Sequence, residues 1–149
     1  MCFAEKPAVV TMALGSCVAI TMFSRRLGVG VICHGFLPQC RVKQPCDSSC
    51  GHEFKYVDCS IHRLAEILFA CGIKLDEIDG KLFGGADLST SGDSRSNIVT
   101  VGRQNIDVAL KTMKAEGLRV VASNVEGPFG QKIFFYTHTV EVLLRDLGI

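Results

Sequence analysis

Apolar and polar residues alternate along much of the chain. Ala8 to Ala13, Val18 to Phe23 and Val29 to Cys33 read as strands rich in Val, Ile, Thr and Met. Ile78 to Phe83, Leu118 to Asn124, Gln131 to Tyr136 and Thr139 to Leu144 repeat the extended pattern. Two segments switch to helical spacing. Val57, Ile61, Leu64, Ala65 and Leu68 form one stripe in a helix from Val57 to Cys71, with Asp58 in its first turn and Gly72 at its stop. Ile106, Ala109, Leu110 and Met113 do the same in a helix from about Arg103 to Glu116, with Gly117 after it. Many strands and two helices predict an α/β protein of packed sheet layers with helices outside. Gln39 to Glu53, with Pro45, Asp47, Ser48, Ser49 and Gly51, and Ser89 to Asn97 have no period and read as loops.

Composition narrows the class. A chain of 149 residues is expected to form one domain, residues 1–149. The net charge of +1 gives no electrostatic case for nucleic acid. No apolar run approaches the roughly 20 residues of a membrane span, and the N-terminus lacks a signal-peptide pattern. The expectation is a cytoplasmic protein without direct membrane insertion. With no secretion signal, the eight cysteines are expected to be reduced. Cys33, Cys59 and Cys71 are read as small packing residues. Cys40, Cys46, Cys50 and His52 form a Cys-x5-Cys-x3-Cys-x-His group. Its spacing is looser than paired zinc ligands, so neither a metal nor a cofactor is expected.

The candidate chemistry lies early in the chain. Leu14-Gly15-Ser16-Cys17-Val18 presents a thiol at a tight turn, and His34 arrives on the returning strand. A histidine that takes the thiol proton makes a nucleophile for acyl transfer. A hairpin centred between Arg25 and Arg26 would set Cys17 directly opposite His34. Thr11, six residues before Cys17, is placed to fold back and orient the imidazole as a third member of the group. Backbone amides of the Gly15-Ser16-Cys17 turn are candidate oxyanion donors. Gly84-Gly85 allows either a close substrate approach or a turn of positive φ.

The run Thr11…Leu14-Gly15-Ser16-Cys17-Val18…His34 resembles the signature of the CheD family of chemoreceptor glutamine deamidases. Tyr56-Val57-Asp58, Lys81-Leu82-Phe83-Gly84-Gly85-Ala86 and Val101-Gly102-Arg103-Gln104-Asn105 continue the likeness in order. The chain departs from the family pattern at Val125-Glu126-Gly127-Pro128-Phe129-Gly130-Gln131, where a glycine and an arginine are replaced, and at Thr137-His138.

The resemblance implies a layered α/β/β/α sandwich of mixed sheets with two main helices outside. It implies Cys17 as nucleophile, His34 as base and Thr11 as assistant. Gly15, Ser16, Phe83, Gly84 and Gly85 become candidates for substrate or oxyanion binding. The implied reaction converts receptor glutamine to glutamate through a thioester. The implied partners are the cytoplasmic helical region of chemoreceptors and a CheC-type phosphatase. Two other readings stand beside it. One is a binding module that docks on such a phosphatase with little or no turnover. The other is a zinc-stabilised domain using Cys40, Cys46, Cys50 and His52.

Overall fold

Alternation along each strand decides which face it buries, and the burial sorts the strands into two sheets. The computed structural model describes residues 7–42, 50–52, 54–88 and 99–148. Cys2, Cys46 and the stretch Ser89 to Asn97 lie outside the described residues. The elements are β1 (Val9–Leu14), β2 (Val18–Ser24), β3 (Val29–Gly35), α1 (Val57–Ala70), β4 (Ile78–Gly84), α2 (Val101–Ala115), β5 (Arg119–Val125), β6 (Gln131–Tyr136) and β7 (Val142–Asp146). A four-stranded mixed sheet runs β3-β2-β4-β5, with only β4 and β5 parallel. A three-stranded antiparallel sheet runs β1-β6-β7.

Two apolar clusters share the larger sheet. On one face Val18, Ile20, Met22, Val31 and Cys33 pack against Ile61, Leu64 and Leu68 of α1 and Ile106, Ala109 and Met113 of α2. Each fully buried Leu or Ile side chain there contributes about 1.5–3 kcal/mol. On the other face Ala19, Ile32 and Phe83 meet Leu14, Ile133 and Phe135 of the smaller sheet.

The α/β class with packed sheets is as expected, but the layering differs. Both helices lie on the same side of the larger sheet. Among the described residues the order is therefore helices, four-stranded sheet, three-stranded sheet, in place of α/β/β/α. The outer face of the smaller sheet carries exposed Val9, Thr11 and Leu143.

Element ends shift by a few residues for local reasons. Thr100 accepts from the Arg103 amide and starts α2 two residues early. The last strand begins at Val142, later than expected, because the preceding turn holds Val140 at φ 54. Cys59 is disulfide-bonded, which corrects the expectation of reduced thiols at that position.

Candidate active site

Of the two candidate residues, His34 lies in the β2–β3 hairpin and Cys17 immediately precedes β2, so the hairpin register fixes their relation. Ala19 pairs with His34 and Val18 with Gly35. The expected register was off by two residues. Gly28, at φ 64, donates its amide to Ser24 O at 2.9 Å and closes a longer loop, so Ser24 pairs with Val29. A shift of two preserves the face. Cys17 therefore lies diagonal to His34, on the same side of the sheet, where diagonal neighbours stand about 7–8 Å apart. That side faces the smaller sheet, and Cys17 packs against the cluster containing Ala19, Ile32 and Phe83.

The nucleophile turn is stitched down by its carbonyls. Gly15 O accepts from the Ala86 amide at 2.9 Å and Cys17 O from the Gly85 amide at 2.8 Å. Ser16 O accepts from Asn105 Nδ2 at 2.9 Å. Asn105 Nδ2 also donates to Phe36 O at 3.2 Å, tying the turn to the exit of the histidine strand. Gly84 and Gly85 adopt φ 93 and 68. A Cβ at Gly84 would stand 2.4 Å from Cys17 O. Gly102, in the first turn of α2, lies so close that a Cβ there would meet Ala86 O at 2.6 Å. The three separated motifs of the sequence thus converge on one turn. Asn105 and Gly102 were legible only as motif positions; their shared target is visible in the fold alone.

Burial sets the resting protonation. It pushes the Cys17 thiol above its ordinary value, against the opposing effect of the residue's own amide. Burial also holds His34 below the ordinary imidazole value, so the ring is neutral near pH 7. His34 Nε2 is buried with no hydrogen-bond partner among the described residues, and the ring stacks on Phe36 with centroids 4.4 Å apart.

The remaining candidates fall into separate places. Thr11 is exposed on β1, while Val10, Met12 and Leu14 point inward. Strand alternation therefore carries its hydroxyl away from the face that bears Cys17 and His34, and no hydrogen bond joins it to the imidazole among the described residues. Phe83 is a core residue opposite Ala19. A cleft of about 340 Å³ lined by Gly85, Thr100, Arg103 and Glu126 adjoins the clamp but not the thiol. A second cleft, of about 330 Å³, is lined by Phe36, His52 and Phe54 and reaches the imidazole side through Phe36. No helix among the described residues is long and apolar enough to cross a membrane.

Similarity to known proteins points the same way as the motifs. The profile of the family described as CheD chemotactic sensory transduction matches residues 36–146. A probable chemoreceptor glutamine deamidase CheD 2 from Geobacter sulfurreducens is 45% identical over 146 residues, covering 98% of this chain and 84% of its own length. A probable chemoreceptor glutamine deamidase CheD from Maridesulfovibrio salexigens is 39% identical, covering 95% and 84% of the two chains. One from Thermococcus kodakarensis is 34% identical, covering 97% and 87%.

Proposed function

The chain belongs to the CheD family, and from that premise we propose that it deamidates glutamine side chains of chemoreceptors through a Cys17 thioester. The observation that carries this reading is the shared face of Cys17 and His34, with all three carbonyls of the Gly15–Cys17 turn tied away from it. In a planar trans peptide the next residue's N–H points opposite to the carbonyl. The amides of Ser16 and Cys17 therefore point away from the clamp and are the candidate oxyanion donors.

Cys17 Sγ attacks the carboxamide carbon while His34 accepts the thiol proton. The tetrahedral oxyanion collapses, His34 protonates the departing nitrogen, and ammonia leaves. Water, deprotonated by His34, then attacks the thioester. The products are glutamate and the free Cys17 thiol. A neutral thiol and a neutral imidazole in the resting state fit a mechanism in which substrate binding brings the diagonal pair into contact. Catalytic hydrogen bonds often tighten only then.

Thr11, the assistant implied by the family signature, would need to turn inward to reach His34. We assign it a supporting role. Phe83, Gly84 and Gly85 support the site by packing and by holding the turn. A CheC-type phosphatase is the regulatory partner that the family implies.

Incubation of a receptor cytoplasmic fragment with the protein, read by mass spectrometry, tests the activity. Conversion of amide to acid adds about one dalton per glutamine, as expected for this acyl-transfer route. Cys17→Ala is expected to abolish the gain while leaving the circular dichroism spectrum unchanged. Full activity in that variant refutes the assignment. A wild-type chain that binds a CheC-type phosphatase but converts no glutamine would favour the binding module.

A further inference from the structure

We propose that Phe36 is the positioning residue for His34, fixing the imidazole plane and placing an aromatic face against the charge that forms there. This role rests on Cys17 and His34 being the reacting pair. A base of this kind needs two services. Something must hold its ring, and something must stabilise the imidazolium once the thiol proton arrives. Among the described residues no polar group bonds His34 Nε2, and Thr11 is exposed on β1.

The sequence sets an aromatic ring where it can serve. Residues two apart in an extended strand point to the same side, so His34-Gly35-Phe36 brings the ring beside the imidazole. The two rings stack with centroids 4.4 Å apart and planes 24° from parallel. The terminal torsion of a histidine is broad and soft, and turning it would break this stack. The face of an aromatic ring is negative and attracts a cation lying over it. When Cys17 gives its proton to His34, the S–H bond breaks, an N–H bond forms, and a thiolate and an imidazolium result. The new positive charge then lies against the Phe36 face, so the stack strengthens as the nucleophile appears.

Phe36 can hold His34 only if its own backbone is held. The Phe36 amide donates to Lys55 O at 3.1 Å, and its carbonyl accepts from Asn105 Nδ2 at 3.2 Å. Before it, Gly35 lies so close to α1 that a Cβ would stand 2.7 Å from Val57 Cγ2. After it, the Leu37 amide donates to Lys55 O at 3.1 Å, and Leu37 O accepts from the Val57 amide at 2.8 Å. Asn105 Nδ2 also donates to Ser16 O, so one side chain ties the nucleophile turn to the stacked ring. Above this fixed backbone the ring is 49% exposed. It is therefore no core residue, and shortening it opens no sealed cavity.

Deamidation of a receptor cytoplasmic fragment is measured for the full chain, Phe36→Leu and Phe36→Tyr, with urea midpoints to check folding. Leu keeps apolar bulk and loses the aromatic face, whereas Tyr keeps the face. Phe36→Leu is expected to lower kcat about tenfold with KM little changed, and Phe36→Tyr to restore it. Proton NMR reads the stack directly. The His34 ring signals, assigned by their loss in His34→Gln, should move downfield in Phe36→Leu and stay in place in Phe36→Tyr. An unchanged kcat in Phe36→Leu, a rise in KM alone, a Tyr variant as slow as Leu, or unmoved ring signals each overturn the proposal. They do so without touching the Cys17 assignment, provided the wild type converts glutamine and Cys17→Ala does not. A wild type that converts none defeats the deamidase reading and this role with it. Should Phe36→Leu fold poorly, Phe36→Gln gives the same comparison at this half-open position.

Discussion

The two ends of the β2–β3 hairpin are built from opposite materials. The closed end is charged and wet: Arg25 bonds Asp79 at 3.2 Å, and Arg26 pairs with Glu77. The open end is neutral and largely dry: the Cys17 thiol, an uncharged His34, and a turn held by backbone and amide hydrogen bonds. Water screens the first set of charges, so they contribute little individually. They can fix a register without fixing a reactive geometry. The open end needs the reverse, a neutral pair that substrate can bring together, and so its fixing groups are carbonyls and amides.

One pair of glycine substitutions should separate the ends most clearly. Gly84→Ala puts a Cβ against Cys17 O at φ 93, where the nearest obstacle is backbone. It is expected to cost about 3 kcal/mol of stability, and misplacing the thiol should lower turnover about a hundredfold. Gly28→Ala at the closed end meets nothing within 4 Å at φ 64. It should cost about 1 kcal/mol from φ strain alone and leave turnover intact. Urea unfolding and receptor deamidation measured on both variants check this. Equal losses at the two ends would erase the distinction.

Asn105→Ala tests the clamp without touching the hairpin. It strands the carbonyls of Ser16 and Phe36, at a cost of about 2 kcal/mol, and loosens the tie between nucleophile turn and histidine strand. A positioning role predicts about a tenfold fall in kcat with KM little changed, and partial rescue in Asn105→Gln. A loss of stability with unchanged kcat would make Asn105 merely structural. Deamidation rate against pH sharpens the open end further. A neutral imidazole base held below 6.5 should place the acid limb below that value. The Cys17 thiol, raised above 9.0, should keep iodoacetamide labelling slow until the medium is strongly alkaline. An acid limb above 6.5, or fast labelling at neutral pH, would show an ion pair already formed.

The same contrast explains what could be read from the sequence. Cys17 and His34 share a face for any hairpin register of the right parity, so counting residues found the face while the Gly28 loop moved the partner by two. Thr11 stands away from His34 for a reason visible in its own strand: Val10, Met12 and Leu14 are the inward residues, so alternation turns position 11 outward. The helix stripes were legible because burial on one face imposes a 3.6-residue period, although Leu110, read as part of the α2 stripe, lies at its edge and is exposed. Their shared side of the larger sheet was not, since a stripe does not name the sheet face it covers. The approach of Cys40 to Cys59 was hidden because the two meet through the carboxylate of Asp58, which accepts from both their amides.

The smallest expected effect belongs to the closed end. The Arg26 guanidinium bonds Glu77, and the Lys74 amide donates to the same carboxylate at 2.8 Å, holding it at about 2 against an ordinary 4.5. The unfolded chain takes up a proton on Glu77 near 4.5, whereas the folded chain resists until about 2. The pair therefore supports the fold above about pH 4.5, and that support drains away as pH falls toward 2. Glu77→Gln should flatten this part of the acid dependence, seen in urea midpoints at about pH 3 and pH 6, and leave deamidation at neutral pH unchanged. The effect is small because both partners meet solvent. If Glu77→Gln instead lowered turnover, the closed end would be coupled to the reacting pair through the register, and the division between a wet, structural end and a dry, chemical end would fail.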